Sequence, residues 1–481
     1  MSGRTREAAC FGGLAVLATV AWGLVPTYPN YDSYYSLDWG RELLDGVTPT
    51  FQAYAAPTQH PAYLALSAVL AAVFGQHADR VLVLVCVLAL VALIWAVYRL
   101  GLAVFGRATG VVAALLTASS FTLLLYAVRA YVDVPFLAFV LWAAVLEAER
   151  PRRGTAPLVL LLVAGLLRPE AWLLSGVYGL WCVAPRGGVR PQTRRALVLL
   201  ALTVAAPLAW ALTDAAVTGD ALHSLHATST LADALGRVRG VGHVPGSLVS
   251  FLSDVLRLPV FLAALAGLGL VAARRRRARG AAYVPWALLG AGVLTFIATG
   301  VAGLPILPRY LTVPAIALTL FAGEALAGWA RLDAGDPLRR AWGGAVIVLA
   351  VLGAAFVVVR APVVERLVTE LRYIRSSHED LVATLHDPRV TAARACGPVT
   401  FPNYRLVPDA RWILDAPAGA VGARSARRHD RGVAIFFTDR KTLRRFGFAD
   451  GASPSTNAPD AGYVRVARHR SMAAYVNCPA R

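Results

Sequence analysis

"PAYLALSAVLAAVFG", residues 61–75, decides how this chain is threaded. It is apolar, but it is short and opens on proline, and a spanning helix needs about 20 mostly apolar residues. If the stretch crosses a membrane, every later loop changes side. If it lies along the surface or re-enters and returns, the later loops keep their sides. The arginines choose between the two. They recur in clusters between apolar runs, at Arg150/Arg152/Arg153, Arg186/Arg190/Arg194/Arg195, Arg274 to Arg277 with Arg279, and Arg331/Arg339/Arg340. Short loops rich in arginine stay cytoplasmic. Only a non-crossing 61–75 puts every cluster on that side, together with Arg4 and Arg6 ahead of the first run. The stretch is therefore read as a surface-lying or re-entrant helix that returns to the outer side.

Composition agrees. The 481 residues are 57% hydrophobic and 16% charged, where a soluble domain carries roughly a quarter charged residues, and the mean hydropathy is +0.58. The net charge of +19 invites a nucleic-acid reading, but arginines parcelled into loops are a topology signal instead. Apolar runs at 9–26, 80–99, 108–128, 133–149, 155–167 with 170–184, 196–214, 254–273, 281–301, 310–330 and 341–360 give an all-α polytopic membrane domain over 1–360. That is about eleven transmembrane helices, with the amino terminus cytoplasmic in the plasma membrane. The first run lacks a small-x-small site before Pro26 and is read as a retained helix, not a cleaved signal.

Long outer loops then cover 28–79 and 215–253, and residues 361–481 form a small extracytoplasmic α/β domain. There 363–386 reads as helix, "GVAIFF" (432–437) as a buried strand and "GYVRVARH" (462–469) as an alternating strand. Cys396 and Cys478 are the only cysteines of this tail, and an oxidising compartment predicts their disulfide. Cys10, Cys86 and Cys182 read as small hydrophobes.

The polar residues that resist a bland explanation all fall on the outer side. "PNYDSYYSLDWG" (29–40) sets Asp32 among Tyr31, Tyr34, Tyr35 and Trp39. Asp38 reads as a solvent-facing carboxylate of the helix that follows. "APTQHP" (56–61) holds His60, "AVRAYVDVP" (127–135) holds Arg129 and Asp133, "LLRPEAW" (166–172) holds Arg168 and Glu170, and "LPRYL" (307–311) holds Arg309 and Tyr310. Charges near membrane depth are costly and mark a pathway or a site. His223 and His226 read as ordinary loop residues.

The order of these pieces resembles the type C integral-membrane glycosyltransferase superfamily, and within it the protein-mannosyltransferase and aminoarabinose-transferase branch in its actinobacterial form. The resemblance rests on Asp32 after the first helix, on His60–Pro61 with an apolar stretch ending at Phe74–Gly75, on Arg129 with Asp133, on Arg168 to Glu170, and on Pro308 to Leu311. It implies a polyprenyl-phosphate sugar as donor and transfer to an acceptor hydroxyl at the outer face, with inversion. The acceptor would be an envelope lipid, a polysaccharide or a protein. Asp32 is followed by Ser33 where the superfamily commonly sets two adjacent acids, which leaves a divalent metal ion open as a cofactor.

The residues suit that chemistry independently. A carboxylate can take the proton of an attacking hydroxyl, arginines can hold a phosphate leaving group, and aromatic rings can wall a sugar. Asp32 and Asp133 are the expected catalytic residues. His60, Arg129, Arg168, Glu170, Arg309, Tyr310, Tyr31 and Tyr34 are the expected substrate-binding residues. The nearest alternative is a lipid-linked-sugar polymerase or ligase. A transporter or flippase would show internal repeats and charges at the bilayer midplane, and the sequence has neither.

Overall fold

The computed structural model describes residues 3–185, 192–273, 282–359, 362–447 and 454–479. Arg186, Arg190 and the arginines at 274–279 lie outside them. Helix α1 (Gly3–Leu24) runs antiparallel to α4 (Ala78–Val104). At one end Tyr98 Oη donates to Glu7 (2.9 Å) and Phe11 stacks on Trp95 (5.4 Å). At the other, Trp22 Nε1 donates to the Arg80 carbonyl (2.8 Å) and Arg80 Nη2 returns a bond to the Trp22 carbonyl (2.7 Å). The chain therefore leaves α1 and enters α4 on one face, and residues 25–77 are an excursion from that face.

Two helices make up this excursion, α2 (Tyr31–Leu44) and α3 (Pro61–Phe74). They pack so closely that a Cβ on Gly40 would lie 2.6 Å from the Ala68 nitrogen. Fourteen residues make a helix about 21 Å long, short of the ~30 Å hydrocarbon core. Gly75, at φ +54°, ends α3. Even so, α3 and α4 continue one another as a single apolar run, Pro61–Val104, of 44 residues, about 66 Å of helix and twice the core thickness. The element predicted at 61–75 is thus helical, ending at Gly75 and leading into α4.

The remaining helices are α5 (Arg107–Ala118), α6 (Phe121–Val128), α7 (Asp133–Glu149), α8 (Thr155–Leu167), α9 (Glu170–Val183), α10 (Thr193–Thr218), α11 (His223–Ala234), α12 (Val244–Leu256), α13 (Leu258–Ala273), α14 (Tyr283–Val301), α15 (Thr312–Ala327) and α16 (Pro337–Val359). Among the described residues six helices are long and apolar enough to cross a membrane, or eight if the bent pairs α5–α6 (57°) and α12–α13 (111°) each count as one span. This is a multi-pass membrane protein. Helices α7, α8 and α9, which the sequence predicts as passes, have 17, 13 and 14 residues. They are short for a 30 Å core.

Polar ties mark one end of the bundle. At the end near the described arginine loops, Glu147 accepts from Tyr178 (2.8 Å), Trp181 (3.1 Å) and Tyr283, which ties α7 to α9 and α14. At the same end Thr109 donates to Glu324 (2.9 Å), which ties α5 to α15. Helix α15 is the axis of the bundle, buried along almost its whole length. Glycines admit its neighbours: a Cβ on Gly267 of α13 would lie 1.9 Å from the Phe321 oxygen. Small residues at such crossings let backbones approach where lipid supplies no hydrophobic drive between helices.

Beyond α16 come α17 (Pro362–Leu385), α18 (Pro388–Ala393), α19 (Val407–Leu414) and a five-stranded sheet in the order β2-β1-β3-β5-β4. Strands β1 (Val399–Phe401), β2 (Val421–Ala423) and β3 (Gly432–Phe437) are parallel. Strands β4 (Val464–His469) and β5 (Met472–Asn477) complete the sheet antiparallel. Strand β3, the predicted "GVAIFF", is buried throughout, and α17 and β4 fall where the sequence expects a helix and a strand. Cys396 and Cys478 are disulfide-bonded.

This carboxy-terminal part is fastened to α2 by charge. Asp38 is fully buried, so the solvent-facing reading of this residue is corrected. It accepts from Arg41 (3.1 Å) and lies 3.9 Å from Arg411, which also donates to Glu42 (2.6 Å). The Arg41 guanidinium covers the Trp412 ring at 4.8 Å. Removing one partner of a buried ion pair costs about 3–5 kcal/mol, because the other charge is left uncompensated. Asp38→Asn should therefore loosen the carboxy-terminal part, seen as faster limited proteolysis beyond residue 360 and a lower melting temperature. Wild-type stability in that variant would contradict the fastening.

Candidate functional site

A cavity of about 1150 Å³ opens between the start of α2, the α8–α9 apex, helices α10 and α11, the segment 304–310, and α17 and α19. Eight of the predicted site residues line it: Tyr31, Asp32, His60, Arg129, Arg168, Glu170, Arg309 and Tyr310. Asp133 and Tyr34 do not.

Asp32 is set by the cap of α2. Asn30 Oδ1 accepts from the Asp32 and Ser33 amides (2.8 and 3.4 Å). The Asn30 amide and Nδ2 both donate to the Arg129 carbonyl (2.8 and 2.9 Å). Ser33 Oγ donates to the Ala130 carbonyl (2.6 Å), where Ala130 bends the chain at φ +53°. The lacing ties the turn after α6 to the first turn of α2, where a carboxylate is also favoured by the helix dipole. The Asp32 side chain keeps 29% of its surface exposed, and its Oδ2 is 3.4 Å from Arg309 Nη1.

That ion pair is loose and leaves capacity. Arg309 Nε is buried without a hydrogen-bond partner, an arrangement costly enough that an acceptor is expected there. No carboxylate among the described residues forms an ion pair with Arg129. Tyr310 sits between two guanidinium groups, 5.6 Å from that of Arg168 and 5.9 Å from that of Arg309. Two cations with unfilled donors beside a half-exposed carboxylate suit a phosphate and a hydroxyl as neighbours.

Arg168 differs, being committed to protein. It is buried and bonded to Asp133 Oδ1 and, through Nε (3.0 Å), to Glu170. Asp133 is fully buried behind it. Asp133, expected as a catalytic residue, does not line the cavity: its Oδ1 meets Arg168, and its Oδ2 is buried without a hydrogen-bond partner. Tyr34, expected to bind substrate, also lies off the cavity. It is fully buried and donates to Asp79 Oδ2 (3.2 Å), because the helical period turns it from the cavity toward α4. His60 packs edge-on to Trp210 at 5.8 Å, with its Nδ1 buried and unpartnered. Burial, with Arg168 and Arg309 close by, pushes its imidazole down to about 3. The ring is neutral at physiological pH and serves as a hydrogen-bonding group, not a cation.

The sequence missed the roof. Helix α17 presents Tyr373, Ser377 and His378 to the cavity, and α19 presents Asp409. His378 stacks on Tyr28 at 3.4 Å, and burial with Arg129 and Arg80 nearby lowers it to about 3. Burial raises Asp409 to about 7, against the pull of Arg129. No motif marks these residues; only the docking of the carboxy-terminal part brings them over the site. A metal does not fit the donor set. Among the described residues no group of three or more His, Cys, Asp or Glu is placed to hold an ion, and Asp32 faces a guanidinium where a metal would need a second anion.

No family model and no curated protein matches the chain by sequence. Solved structures do match it in shape. ArnT from Cupriavidus metallidurans bound to undecaprenyl phosphate superposes with TM-score 0.57 at 14% identity, over 99% of this chain and 98% of that one. The apo state of the same protein gives 0.57 at 15% over the same shares. The Archaeoglobus fulgidus oligosaccharyltransferase in its apo form gives 0.47 at 13%, over 98% of this chain and 74% of that one, too loose a likeness to argue from. Helical membrane part and sheet-bearing tail together make an ArnT-like fold.

Proposed function

We propose that this protein transfers a sugar from a polyprenyl-phosphate donor to an acceptor hydroxyl, with Asp32 as general base. The observation that carries the reading is the half-exposed Asp32 carboxylate 3.4 Å from Arg309, an arginine that still has an unfilled donor, with the uncommitted Arg129 on the same cavity wall. The similar ArnT structure holds undecaprenyl phosphate, which supports a lipid phosphate as the anion that completes this group.

In the reaction the acceptor oxygen attacks the anomeric carbon while the bond to the phosphate oxygen breaks. The acceptor's proton passes to Asp32, and the phosphate leaves with one further negative charge. Arg309 and Arg129 stabilise that charge as it develops, the step at which fixed cations contribute most. When a phosphate draws Arg309 toward itself, the Asp32 carboxylate loses its counter-ion and becomes a better base. Arg168, neutralised by Asp133 and Glu170, shapes the wall and steadies Tyr310. A single displacement of this kind inverts the anomeric centre. The arginine loops belong inside, which puts the reaction at the outer face of the membrane.

The sidedness is tested by labelling. In a Cys10→Ser background, Ala426→Cys should react with an impermeant maleimide on intact cells and Ala334→Cys only after lysis; the reverse would overturn the outer-face reading. For the chemistry, reconstituted protein is assayed with a polyprenyl-phosphate sugar. Asp32→Asn removes the base and should slow transfer about 10²–10⁴-fold without weakening donor binding. Arg309→Ala should weaken donor binding about 10–100-fold, the worth of charge-assisted bonds to phosphate. Wild-type rates in Asp32→Asn would end the general-base assignment.

A further inference from the structure

A second cavity, of about 520 Å³, lies where residues 48–54 of the first loop, the end of α10, α19 and the edge strand β2 meet. It falls within the roughly 300–1,000 Å³ of ordinary ligand sites, and the reaction described above does not use it. We propose that it is an acceptor subsite for a neutral glycan chain. The hydroxyl-bearing end of that chain would reach Asp32 while the preceding sugars lie in the second cavity. The proposal rests on the transferase reading and names its acceptor class.

Three features carry it. The first is continuity, since Tyr404 lines both cavities. Its ring meets Tyr31 of the reaction cavity edge-on at 5.4 Å and Tyr54 of the second cavity at 6.2 Å. A row of aromatic rings therefore leads from one space to the other. Tyr54 stays 53% exposed, yet its hydroxyl donates to Ser425 Oγ (3.4 Å), so an open ring is held in place. Ring faces carry negative quadrupole density and attract the polarised C–H groups of a sugar.

The second feature is charge. Arg411 is the only charged residue on this cavity among the described residues; its two terminal nitrogens face Asp38 and Glu42 (2.6 Å), and its Nε is buried without a hydrogen-bond partner. Asp38 and Glu42 balance its charge, so this cavity offers no net positive charge to a phosphate, a uronate or a sialate. Thr48 and Gln52 line the cavity with neutral polar groups, which suit hydroxyls. The third is the bare wall. A Cβ added at Gly422 of β2, or at Gly419 in the turn before it, would meet nothing within 4 Å, so this wall presents open backbone to the space. At three residues, this strand is too short to hold an extended peptide by strand addition, which favours a glycan over a protein acceptor.

The test uses full-length protein in nanodiscs. Binding of maltohexaose, mannohexaose and cellohexaose is measured by saturation-transfer NMR, with hexagalacturonate as the anionic comparison and a Ser/Thr-rich peptide as the protein-acceptor comparison. At least one neutral hexasaccharide should bind. Its affinity should fall about fivefold in Tyr54→Ala, the worth of one aromatic contact. Gly422→Phe, whose Cβ meets no neighbour within 4 Å, should block binding altogether. Binding that survives both cavity variants, absence of neutral-glycan binding, or preference for hexagalacturonate or the peptide would each overturn the proposal. Donor turnover, assayed in parallel, separates the two readings. Glycan binding without turnover of a polyprenyl-phosphate sugar would sink the transferase reading alone, and turnover without glycan binding would sink this subsite alone.

Discussion

One ion pair, Asp32 with Arg309, joins the first polar turn after α1 to the entrance of the buried axis helix α15, 277 residues further along the chain. Most of the surrounding structure serves to keep it where it is and to keep it loose. The Asn30 cap and the Ser33 bond to Ala130 pin Asp32 from one side. The burial of α15 fixes the segment carrying Arg309 from the other. At 3.4 Å, with both side chains about 30% exposed, the pair is weak enough to open. A single long contact of this kind is weaker than the charge-assisted, bidentate bonds that a phosphate can accept from the same guanidinium.

Arg168 shows the opposite solution a short distance away. Two carboxylates hold it, and it is buried with them. Burying an arginine without such partners costs several kcal/mol, so the site keeps one arginine fully compensated and leaves Arg309 and Arg129 with capacity. The carboxy-terminal part closes the cavity over them. It is anchored away from the reacting groups, through Asp38, Glu42 and Arg411, so the fastening and the chemistry use different acids of the same helix.

Much of this was legible in the chain. The parcelling of arginines gives an expectation for the threading of 61–75, because arginine-rich short loops favour the cytoplasmic side. Asp32, His60, Arg129, Arg168, Glu170, Arg309 and Tyr310 stood out because polar groups beside apolar runs are expensive without a role. What the sequence left hidden were the partners. A carboxylate that meets an arginine 35 residues away reads the same as one that meets a substrate, which is why Asp133 was expected at the chemistry. Tyr34 differs from Tyr31 only by its turn around one helix. Asp38 looked solvated because Arg411 lies at the far end of the chain. The roof residues His378 and Asp409 belong to a docking that no local pattern records.

The most direct test of the central claim is the affinity of polyprenyl phosphate for the wild type and for Asp32→Asn, measured in nanodiscs at one ionic strength. If the carboxylate and the lipid phosphate compete for Arg309, the neutral amide frees that arginine, and Asp32→Asn binds the lipid more tightly than the wild type. Weaker or equal binding would show that Arg309 does not pass from Asp32 to the phosphate, and would contradict the account.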